Sequence, residues 1–262
     1  MPLDFNALGI PNSKLRLSRG IEFIRSATMC SLFPYTITVV CEFNINNYSR
    51  SSYKTFDVLF PDKIKKAVDK RQAEFLAGRF AAKLAILNSK LKHDKADCIV
   101  AIGLNRSPVW PKGICGSITH IEGYAICMAS SLDDYESIGI DLEKIIPNEL
   151  AMDIKETIID SSELSILNSI NMPFNELLTL VFSVKESLFK ALYEFVAIYF
   201  DFHEAKILGI CFESRKVTIS LNTCFASKYG VKEKYFCYFH TDREHVLTYL
   251  VLPNRLHQGL QQ

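Results

Sequence analysis

An apolar stripe at helical spacing between Asn175 and Val196 constrains the fold of this chain more than any other feature. It predicts one long amphipathic helix. The stripe consists of Leu177, Val181, Val184, Leu188, Leu192 and Phe195. Glu186 and Lys190 lie four residues apart on the opposite face, where an exposed salt pair would contribute only about 0.2–0.5 kcal/mol. Three aromatic residues share that charged face, so we expect it to be covered as well.

The segment 138–143 places two carboxylates side by side. Side chains alternate between the faces of a strand, so Asp141 and Glu143 project together while the isoleucines and the leucine between them face a core. Adjacent carboxylates repel each other and are best accommodated around a cation. An all-oxygen ligand set suits a hard ion such as Mg²⁺ better than zinc. With Glu186 as a third acidic group, the sequence predicts a magnesium site.

Composition indicates an ordinary globular protein. Of its 262 residues, 48% are hydrophobic and 23% are charged, which is enough to form a core in one large domain or two smaller ones. The apolar run at 192–202 is interrupted by Glu194 and Asp201, so it is a poor candidate for a membrane span. The N-terminus lacks the basic and apolar regions of a signal peptide. We therefore expect a cytoplasmic protein without membrane insertion.

Cysteines and histidines give no support for zinc chemistry. The eight cysteines include no Cys-x-x-Cys pair, and most lie in strand-like apolar runs. This favours buried reduced thiols over a metal site or a disulfide framework. The six histidines are scattered, and the five-residue spacing of His240 and His245 does not suit one face of a helix.

Charge is distributed unevenly between the two halves of the chain. Residues 1–135 contain 18 lysines and arginines and 12 acidic residues, a net charge of +6, whereas residues 136–262 contain 12 and 17, a net charge of −5. A basic half and an acidic half with clustered carboxylates would suit a phosphate-rich ligand and its metal ion. The alternative, that the excess positive charge and the excess negative charge lie on unrelated surfaces, stays open.

The pattern of helices and strands predicts an α+β architecture in two similar halves. In the first half we expect a helix at 62–88 and strands at 35–43, 97–104, 114–120 and 124–130. In the second half we expect helices at 149–159 and 175–196, with strands at 137–143, 207–213, 216–221, 234–240 and 246–251. Residues 1–30 have no clear periodicity and are left unassigned.

Two parts of the first half are candidate anion sites. Arg71 and Arg79 fall on or beside the apolar stripe of the predicted 62–88 helix, so each must either extend to solvent or bind an anion such as phosphate. In the segment 113–120, glycines permit close backbone approach. Ser117, Thr119 and His120 there can donate to phosphate oxygens. Taken alone, a Ser-x-Thr-His segment at the end of a strand is more often structural than catalytic.

Four segments in this order form a recognisable set: KRQAEFLAGR at 70–79, PVWPKGICGSITH at 108–120, GIDLE at 139–143 and FSVKESLFKA at 182–191. Together they resemble the larger, two-lobed 4'-phosphopantetheinyl transferases, and within them the siderophore-synthase branch (enterobactin synthase component D). The resemblance covers roughly residues 60–195. Its last two segments are specific to the superfamily when they occur together.

The resemblance implies two α+β lobes related by a pseudo-twofold axis, with coenzyme A in the cleft between them. Residues 1–135 would form a basic, coenzyme A-binding lobe, and residues 136–262 an acidic, magnesium-binding and catalytic lobe. Asp141 and Glu186 match the Mg²⁺ ligands of the family. Glu143 would be a third ligand, either directly or through water.

The resemblance also implies how coenzyme A is held. Thr119 and His120 match positions that contact the phosphates, although relatives usually have serine in place of Thr119. Arg71 and Arg106 match basic positions near the 3'-phosphate and the adenine. The remaining candidate coenzyme-binding residues are Arg79, Lys112, Ser117, Asp141 and Lys190.

The implied reaction is the attack of a carrier-protein serine on the β-phosphate of coenzyme A, with 3',5'-ADP as the leaving group. Glu186 would act as both metal ligand and general base, and Lys190 would stabilise charge on the phosphate. The partner would be an apo acyl, peptidyl or aryl carrier domain, docking near residues 144–173. Internal duplication predicts a monomer.

Two other functions remain open at this point. A Mg²⁺-dependent phosphohydrolase or nuclease could use the same carboxylates without coenzyme A. A basic module that binds nucleic acid is the non-enzymatic alternative. The net charge of +1 and the lack of a basic stripe with interleaved aromatic residues argue against that module.

Overall fold

A computed structural model describes residues 11–15, 22–89 and 98–254, including Leu104 by its backbone only. The chain divides into two compact units. The N-terminal unit comprises the described residues up to Ile138 together with residues 252–254, and the C-terminal unit comprises Gly139–Val251. Both combine helices with an antiparallel sheet, and the predicted α+β class is confirmed.

The N-terminal unit is built on a five-stranded sheet in the order β1-β2-β3-β7-β6. These strands are β1 Asn12–Lys14, β2 Ile24–Cys30, β3 Ile37–Phe43, β6 Ile114–Ile121 and β7 Tyr124–Ser131. A short separate hairpin pairs β4 Ala101–Ile102 with β5 Pro108–Val109. The helices are α1 Ser52–Thr55, α2 Asp62–Lys65 and α3 Asp69–Leu87. Helix α3 packs on β3 and β7 and supplies much of the core.

The predicted helix at 62–88 is wrong in one respect, because it is interrupted between α2 and α3. Val68, which precedes the first residue of α3, has an extended backbone, and its side chain is 72% exposed. The amide of Gln72 explains the interruption. This buried side chain donates to the carbonyl oxygens of Lys65 and Ala67 at 3.2 and 2.6 Å, replacing hydrogen bonds that a continuous helix would make.

The C-terminal unit contains most of a second antiparallel sheet, in the order β8-β12-β11-β10-β9. Its strands are β8 Tyr135–Lys144, β9 Ala205–Cys211, β10 Lys216–Leu221, β11 Lys234–Thr241 and β12 His245–Pro253. Its helices are α4 Asn148–Ile158, α5 Ser161–Asn168, α6 Phe174–Val196 and α7 Thr223–Tyr229. Helix α6 packs against β11, α4 and α5.

Helix α6 and strand β8 approach each other closely. Five members of the predicted stripe on α6 are buried. The sixth, Phe195, is half-exposed because the helix ends at Val196 and the next residue, Ala197, is left-handed. On β8, a Cβ added to Gly139 would lie 1.8 Å from the carbonyl oxygen of Ser187. A glycine is therefore required where the strand passes under the helix.

Several elements differ from the sequence prediction. Strands β1 and β2 lie in the segment left unassigned, and α5 and α7 were not predicted. The predicted strand at 97–104 is reduced to β4, with residue 97 outside the described residues. None of the helices in the described part of the chain has the length and apolar character needed to span a bilayer.

All eight cysteines are free thiols, in agreement with the prediction of reduced cysteines. Six are buried: Cys30, Cys41, Cys98, Cys115, Cys127 and Cys237. Cys211 and Cys224 are exposed, so the expectation of burial is wrong for these two. Both lie at the borders of secondary-structure elements, at the end of β9 and near the start of α7, where a side chain can face solvent.

Candidate active site

The carboxylate of Asp141 lies at the centre of the candidate site in the C-terminal unit. The residue is only 2% exposed. Lys190 donates to Oδ1 at 2.6 Å, and the hydroxyl of Ser183 donates to Oδ2 at 2.8 Å. Lys190 also donates to the carbonyl oxygen of Ile140 at 3.1 Å. The buried negative charge is therefore both neutralised and hydrogen-bonded, as burial requires.

Two regular elements position this cluster. Alternation along β8 directs Asp141 and Glu143 to the same side of the strand. On α6, Ser183, Glu186 and Lys190 are separated by three and four residues, which places them on one helical face. Lys190 pairs with Asp141 on β8, whereas the sequence had offered Glu186 as its partner. The structure therefore differs from a simple exposed salt pair between Glu186 and Lys190 along the helix.

Glu143 and Glu186 both have raised pKa values. Burial raises the pKa of Glu143 to about 7, with further contributions from the charges of Asp141 and Glu186 and an opposing one from Lys190. Burial also raises the pKa of Glu186, which Lys190 opposes and Asp141 reinforces. The structure therefore brings Asp141, Glu143, Glu186 and Lys190 into one electrostatic cluster, in which three carboxylates share one lysine.

The chemistry of this cluster suits a hard divalent cation. Its donors are all carboxylate oxygens, and burial and mutual repulsion already penalise their negative charge, which a cation would relieve. In the conformation described, no three His, Cys, Asp or Glu side chains among the described residues are grouped so that they could hold a metal ion. The ammonium group of Lys190 instead supplies the positive charge beside Asp141. The residue types fit a cation, but their geometry is not assembled around one.

An interaction beside this cluster was missed by the sequence analysis. Lys185, the neighbour of Glu186, is buried and donates to Glu163 at 2.8 Å and to the carbonyl oxygens of Ile158 and Phe202 at 2.7 and 3.1 Å. The signal was present in the sequence. Helical spacing places position 185 among Val181, Val184 and Leu188, on the apolar face of α6.

In the N-terminal unit, Arg71 and His120 are directly hydrogen-bonded. The Nη1 atom of Arg71 lies 2.9 Å from Nε2 of His120. Because a guanidinium group only donates, Nε2 must accept, and the hydrogen-bond network assigns the imidazole proton to Nδ1. A carboxylate oxygen of Glu74 lies 3.9 Å from Nδ1 of His120 and 3.9 Å from Arg71. The arginine and the histidine predicted to contact coenzyme A are therefore neighbours.

Arg79 lines a cavity of about 770 Å³ in the same unit. Its guanidinium group packs 4.8 Å from the ring centroid of Phe75 and donates to the carbonyl oxygen of Ala101 at 3.2 Å. Its Nε atom is buried and has no hydrogen-bond partner among the residues described. Burial, reinforced by the charge of Arg71, lowers the pKa of Arg79 to about 10. Lysines 54, 63 and 83 also line this cavity.

The remaining candidates of the N-terminal unit differ in exposure. Ser117 and Thr119 on β6 are buried, so neither hydroxyl lies on the open surface. Arg106 and Lys112 are exposed on the loops before β5 and β6. Arg106 also has a left-handed backbone, with φ 66°, and follows Asn105, which has φ 50°. This conformation is uncommon for arginine.

Two family models match the chain in succession. The model of the 4'-phosphopantetheinyl transferase N-terminal domain matches residues 60–130, and that of the 4'-phosphopantetheinyl transferase superfamily matches residues 137–250. The first match contains Arg71, Arg79 and His120. The second contains the whole acidic cluster.

Individual relatives agree with these matches. Enterobactin synthase component D of Salmonella typhi is 34% identical over 187 residues, which cover 70% of this chain and 75% of the relative. Its counterpart in Escherichia coli strain K12 is 40% identical over 122 residues, covering 47% and 55%. The 4'-phosphopantetheinyl transferase Npt of Nocardia iowensis is 32% identical over 150 residues, covering 55% and 62%. The resemblance inferred from the four segments is confirmed, and the chain belongs to the 4'-phosphopantetheinyl transferase superfamily, whose members transfer the 4'-phosphopantetheine group of coenzyme A to carrier proteins.

Proposed function

We propose that this chain is a Mg²⁺-dependent transferase that modifies a serine of an apo carrier domain in siderophore or related secondary-metabolite synthesis. The observation that carries the proposal is the cluster of Asp141, Glu143, Glu186 and Lys190, in which a buried carboxylate lies beside two others with raised pKa values. The names of the enterobactin synthase relatives support the siderophore context. The comparisons give no support to a phosphohydrolase or a nuclease.

Each member of the cluster has a distinct role in this proposal. Asp141 and Glu186 would hold Mg²⁺, with Glu143 as a third ligand directly or through water. When bound, Mg²⁺ would neutralise the pyrophosphate of coenzyme A. The partly buried Glu186 accepts the serine proton as the general base. Lys190 supplies positive charge to the transferring phosphate.

The bond changes follow from these roles. The serine oxygen of the carrier forms a bond to the β-phosphorus of coenzyme A, and the bond from that phosphorus to the oxygen of 3',5'-ADP breaks. The proton lost by the serine hydroxyl moves to Glu186. No covalent intermediate with the protein is needed, because positioning and charge neutralisation account for most of the catalysis of phosphoryl transfer.

We assign coenzyme A binding to the N-terminal lobe, residues 1–135, and metal binding and catalysis to the C-terminal lobe, residues 136–262. The hydrogen-bonded pair of Arg71 and His120 supports phosphate binding. Ser117 and Thr119 stay in the proposed set on the family resemblance alone, because both side chains are buried. Arg79 lines a cavity whose aromatic and basic lining suits a nucleotide. We also assign Arg106 and Lys112 to the basic residues that bind coenzyme A.

The remaining parts of the proposal concern the protein in the cell. We propose a cytoplasmic monomer that binds carrier domains and no nucleic acid, with carrier docking near residues 144–173. Support comes from the repeated α+β architecture of the two units and from the net charge of +1. A basic nucleic-acid-binding surface would raise that charge.

One experiment tests the proposed function. The purified protein is incubated with coenzyme A, Mg²⁺ and each of several apo carrier domains, and the carriers are analysed by mass spectrometry. The expected result is a phosphopantetheine increment on the carrier serine, which EDTA abolishes and added Mg²⁺ restores. Modification that is unaffected by EDTA would refute the metal requirement. No increment on any aryl, peptidyl or acyl carrier would refute the proposed substrate class.

A further inference from the structure

Three buried hydroxyl groups form a connected set behind Asp141. Ser183 and Ser187 on α6 and Thr248 on β12 are each fully buried. The Oγ1 atom of Thr248 lies 2.9 Å from Oγ of Ser183 and 2.8 Å from Oγ of Ser187. One member of the set, Ser183, also reaches the Oδ2 atom of Asp141 at 2.8 Å.

The protons of these hydroxyls can be assigned from their acceptors. Each hydroxyl has one proton to donate, and an ionised carboxylate can only accept. Thr248 has an acceptor in the carbonyl oxygen of Ser183 at 2.8 Å, and Ser187 has one in the carbonyl oxygen of Thr248 at 3.1 Å. The proton of Ser183 is therefore available to Asp141. The hydroxyls of Thr248 and Ser187 donate to backbone carbonyl oxygens and do not contact that carboxylate.

The two oxygens of Asp141 are thus held differently. Lys190 holds Oδ1 through a side chain that is 25% exposed, whereas Ser183 holds Oδ2 from the fully buried side. The terminal torsion of an aspartate is otherwise broad, so a single flexible partner would leave the carboxylate plane poorly defined. A short, buried serine on the central helix fixes that plane with little side-chain freedom of its own.

We propose that Ser183 is a positioning residue that orients Asp141 toward the divalent cation. This inference rests on the proposed function, since it assumes that Asp141 binds the metal. Hydrogen-bond partners of metal-binding carboxylates fix the orientation of the ligand, and their loss typically lowers metal affinity or activity by about 10- to 100-fold. Ser183 meets this description because it contacts the carboxylate and stays clear of the open surface.

Ser187 provides a matched control. It lies one turn along the same helix, is equally buried and belongs to the same set of hydroxyls, but its proton has an acceptor on Thr248. Ser183→Ala and Ser187→Ala therefore remove the same group from the same surroundings. They differ in whether a hydrogen bond to Asp141 is lost.

The experiment measures Mn²⁺ binding by electron paramagnetic resonance in the presence of coenzyme A and without a carrier, so that no turnover occurs. We expect Ser183→Ala to weaken Mn²⁺ binding by about 10-fold. We expect Ser187→Ala to bind Mn²⁺ like the wild type. In steady-state assays, Ser183→Ala should raise the Mg²⁺ concentration needed for half-maximal activity and leave the KM for coenzyme A unchanged. Ser183→Cys keeps a side chain of similar size with a weaker donor, and it should fall between the wild type and Ser183→Ala.

The outcomes separate the two proposals. Wild-type protein that binds no Mn²⁺ would refute the metal role of Asp141, and the role of Ser183 with it. Wild-type binding combined with equal losses in the two alanine variants, or with no loss in either, would refute the role of Ser183 alone. If Ser183→Ala does not fold, Ser183→Cys decides, and Mn²⁺ affinity equal to that of the wild type would overturn the inference.

Discussion

Lys185 and Glu163 form an ion pair in the interior of the C-terminal unit, with Nζ 2.8 Å from Oε1 and each side chain 1% exposed. Both charges are fully hydrogen-bonded. Lys185 also donates to the carbonyl oxygens of Ile158 and Phe202, while Glu163 accepts from the backbone N–H groups of Asp160 and Ile207. This ion pair and its backbone hydrogen bonds therefore connect α6 to the end of α4, the start of α5 and the start of β9.

Removing one partner of this pair should be strongly destabilising. Lys185→Met leaves the Glu163 carboxylate buried without its cation, and we expect a loss of about 3–5 kcal/mol in the free energy of unfolding. Urea denaturation followed by circular dichroism measures this loss. Lys206→Met is the control, because Lys206 pairs with Asp160 at 2.6 Å but is half-exposed, and its loss should have a far smaller effect on stability. Equal losses of stability in the two variants would show that burial does not increase the contribution of the Lys185–Glu163 pair to stability.

The close passage of β8 under α6 gives a second prediction. A methyl group at Gly139 would lie 1.8 Å from the carbonyl oxygen of Ser187, so Gly139→Ala must move the strand or the helix. We expect destabilisation of at least about 1–3 kcal/mol, together with loss of activity, because Asp141 follows two residues later. Gly209→Ala on β9 is the matched control, since nothing lies within 4 Å of its added methyl group. Thermal unfolding compares the two, and a Gly139→Ala protein with wild-type stability would contradict the required close approach.

Strong periodicity made parts of this fold predictable. Helix α6 was expected at 175–196 and occupies Phe174–Val196, and β8 was expected at 137–143 and occupies Tyr135–Lys144. In both cases an apolar pattern at one period continues for the whole element. The acidic residues of the candidate site could be identified because they lie at regular spacing on the faces opposite these apolar patterns.

Other features depended on contacts that are distant in the sequence. The break before α3 follows from Gln72 bonding to backbone carbonyls, and a helical pattern alone does not reveal that competition. The partner of Lys190 is Asp141, 49 residues away, and the local Glu186 was only the nearer candidate. Hydrogen bonds across such separations are fixed by tertiary packing, which a single sequence does not display.

The N-terminus of α5 predicts a pH dependence of stability. Hydrogen bonds from Lys206, from Ser162 and from the backbone of Glu163 hold the pKa of Asp160 well below its usual value. Because the pKa of Asp160 is lower in the folded state than in the unfolded state, its ionised carboxylate stabilises the fold at pH values above the pKa of an unfolded aspartate, near 3.9. This stabilisation is progressively lost as the pH falls below that value. Asp160→Asn keeps a capping side chain but cannot titrate. Between pH 6 and pH 3, urea denaturation should therefore show a smaller loss of stability for the variant than for the wild type, and identical losses would exclude Asp160 as a contributor.

Glu186 should be essential for turnover and dispensable for folding. Glu186→Gln keeps the shape and hydrogen-bonding capacity of the side chain but removes its charge and its ability to accept the serine proton. We expect kcat to fall by at least about 100-fold, the usual contribution of a positioned general base, with an unchanged melting temperature. Glu213→Gln, in the exposed turn after β9, serves as the control and should be fully active. A purified Glu186→Gln enzyme with near wild-type kcat would remove this residue from the mechanism.

Lys190 should affect metal binding and turnover in opposite directions. Its ammonium group donates to Oδ1 of Asp141 in the structure and opposes the rise in the pKa values of Glu143 and Glu186 that burial causes. Lys190→Met removes a positive charge that repels a cation, so Mn²⁺ should bind more tightly. Loss of the charge that stabilises the transferring phosphate should lower kcat by about 100- to 1000-fold. Mn²⁺ titration with coenzyme A present, paired with a turnover assay, measures both effects, and weaker Mn²⁺ binding by the variant would indicate that Lys190 organises the carboxylates and does not compete with the metal.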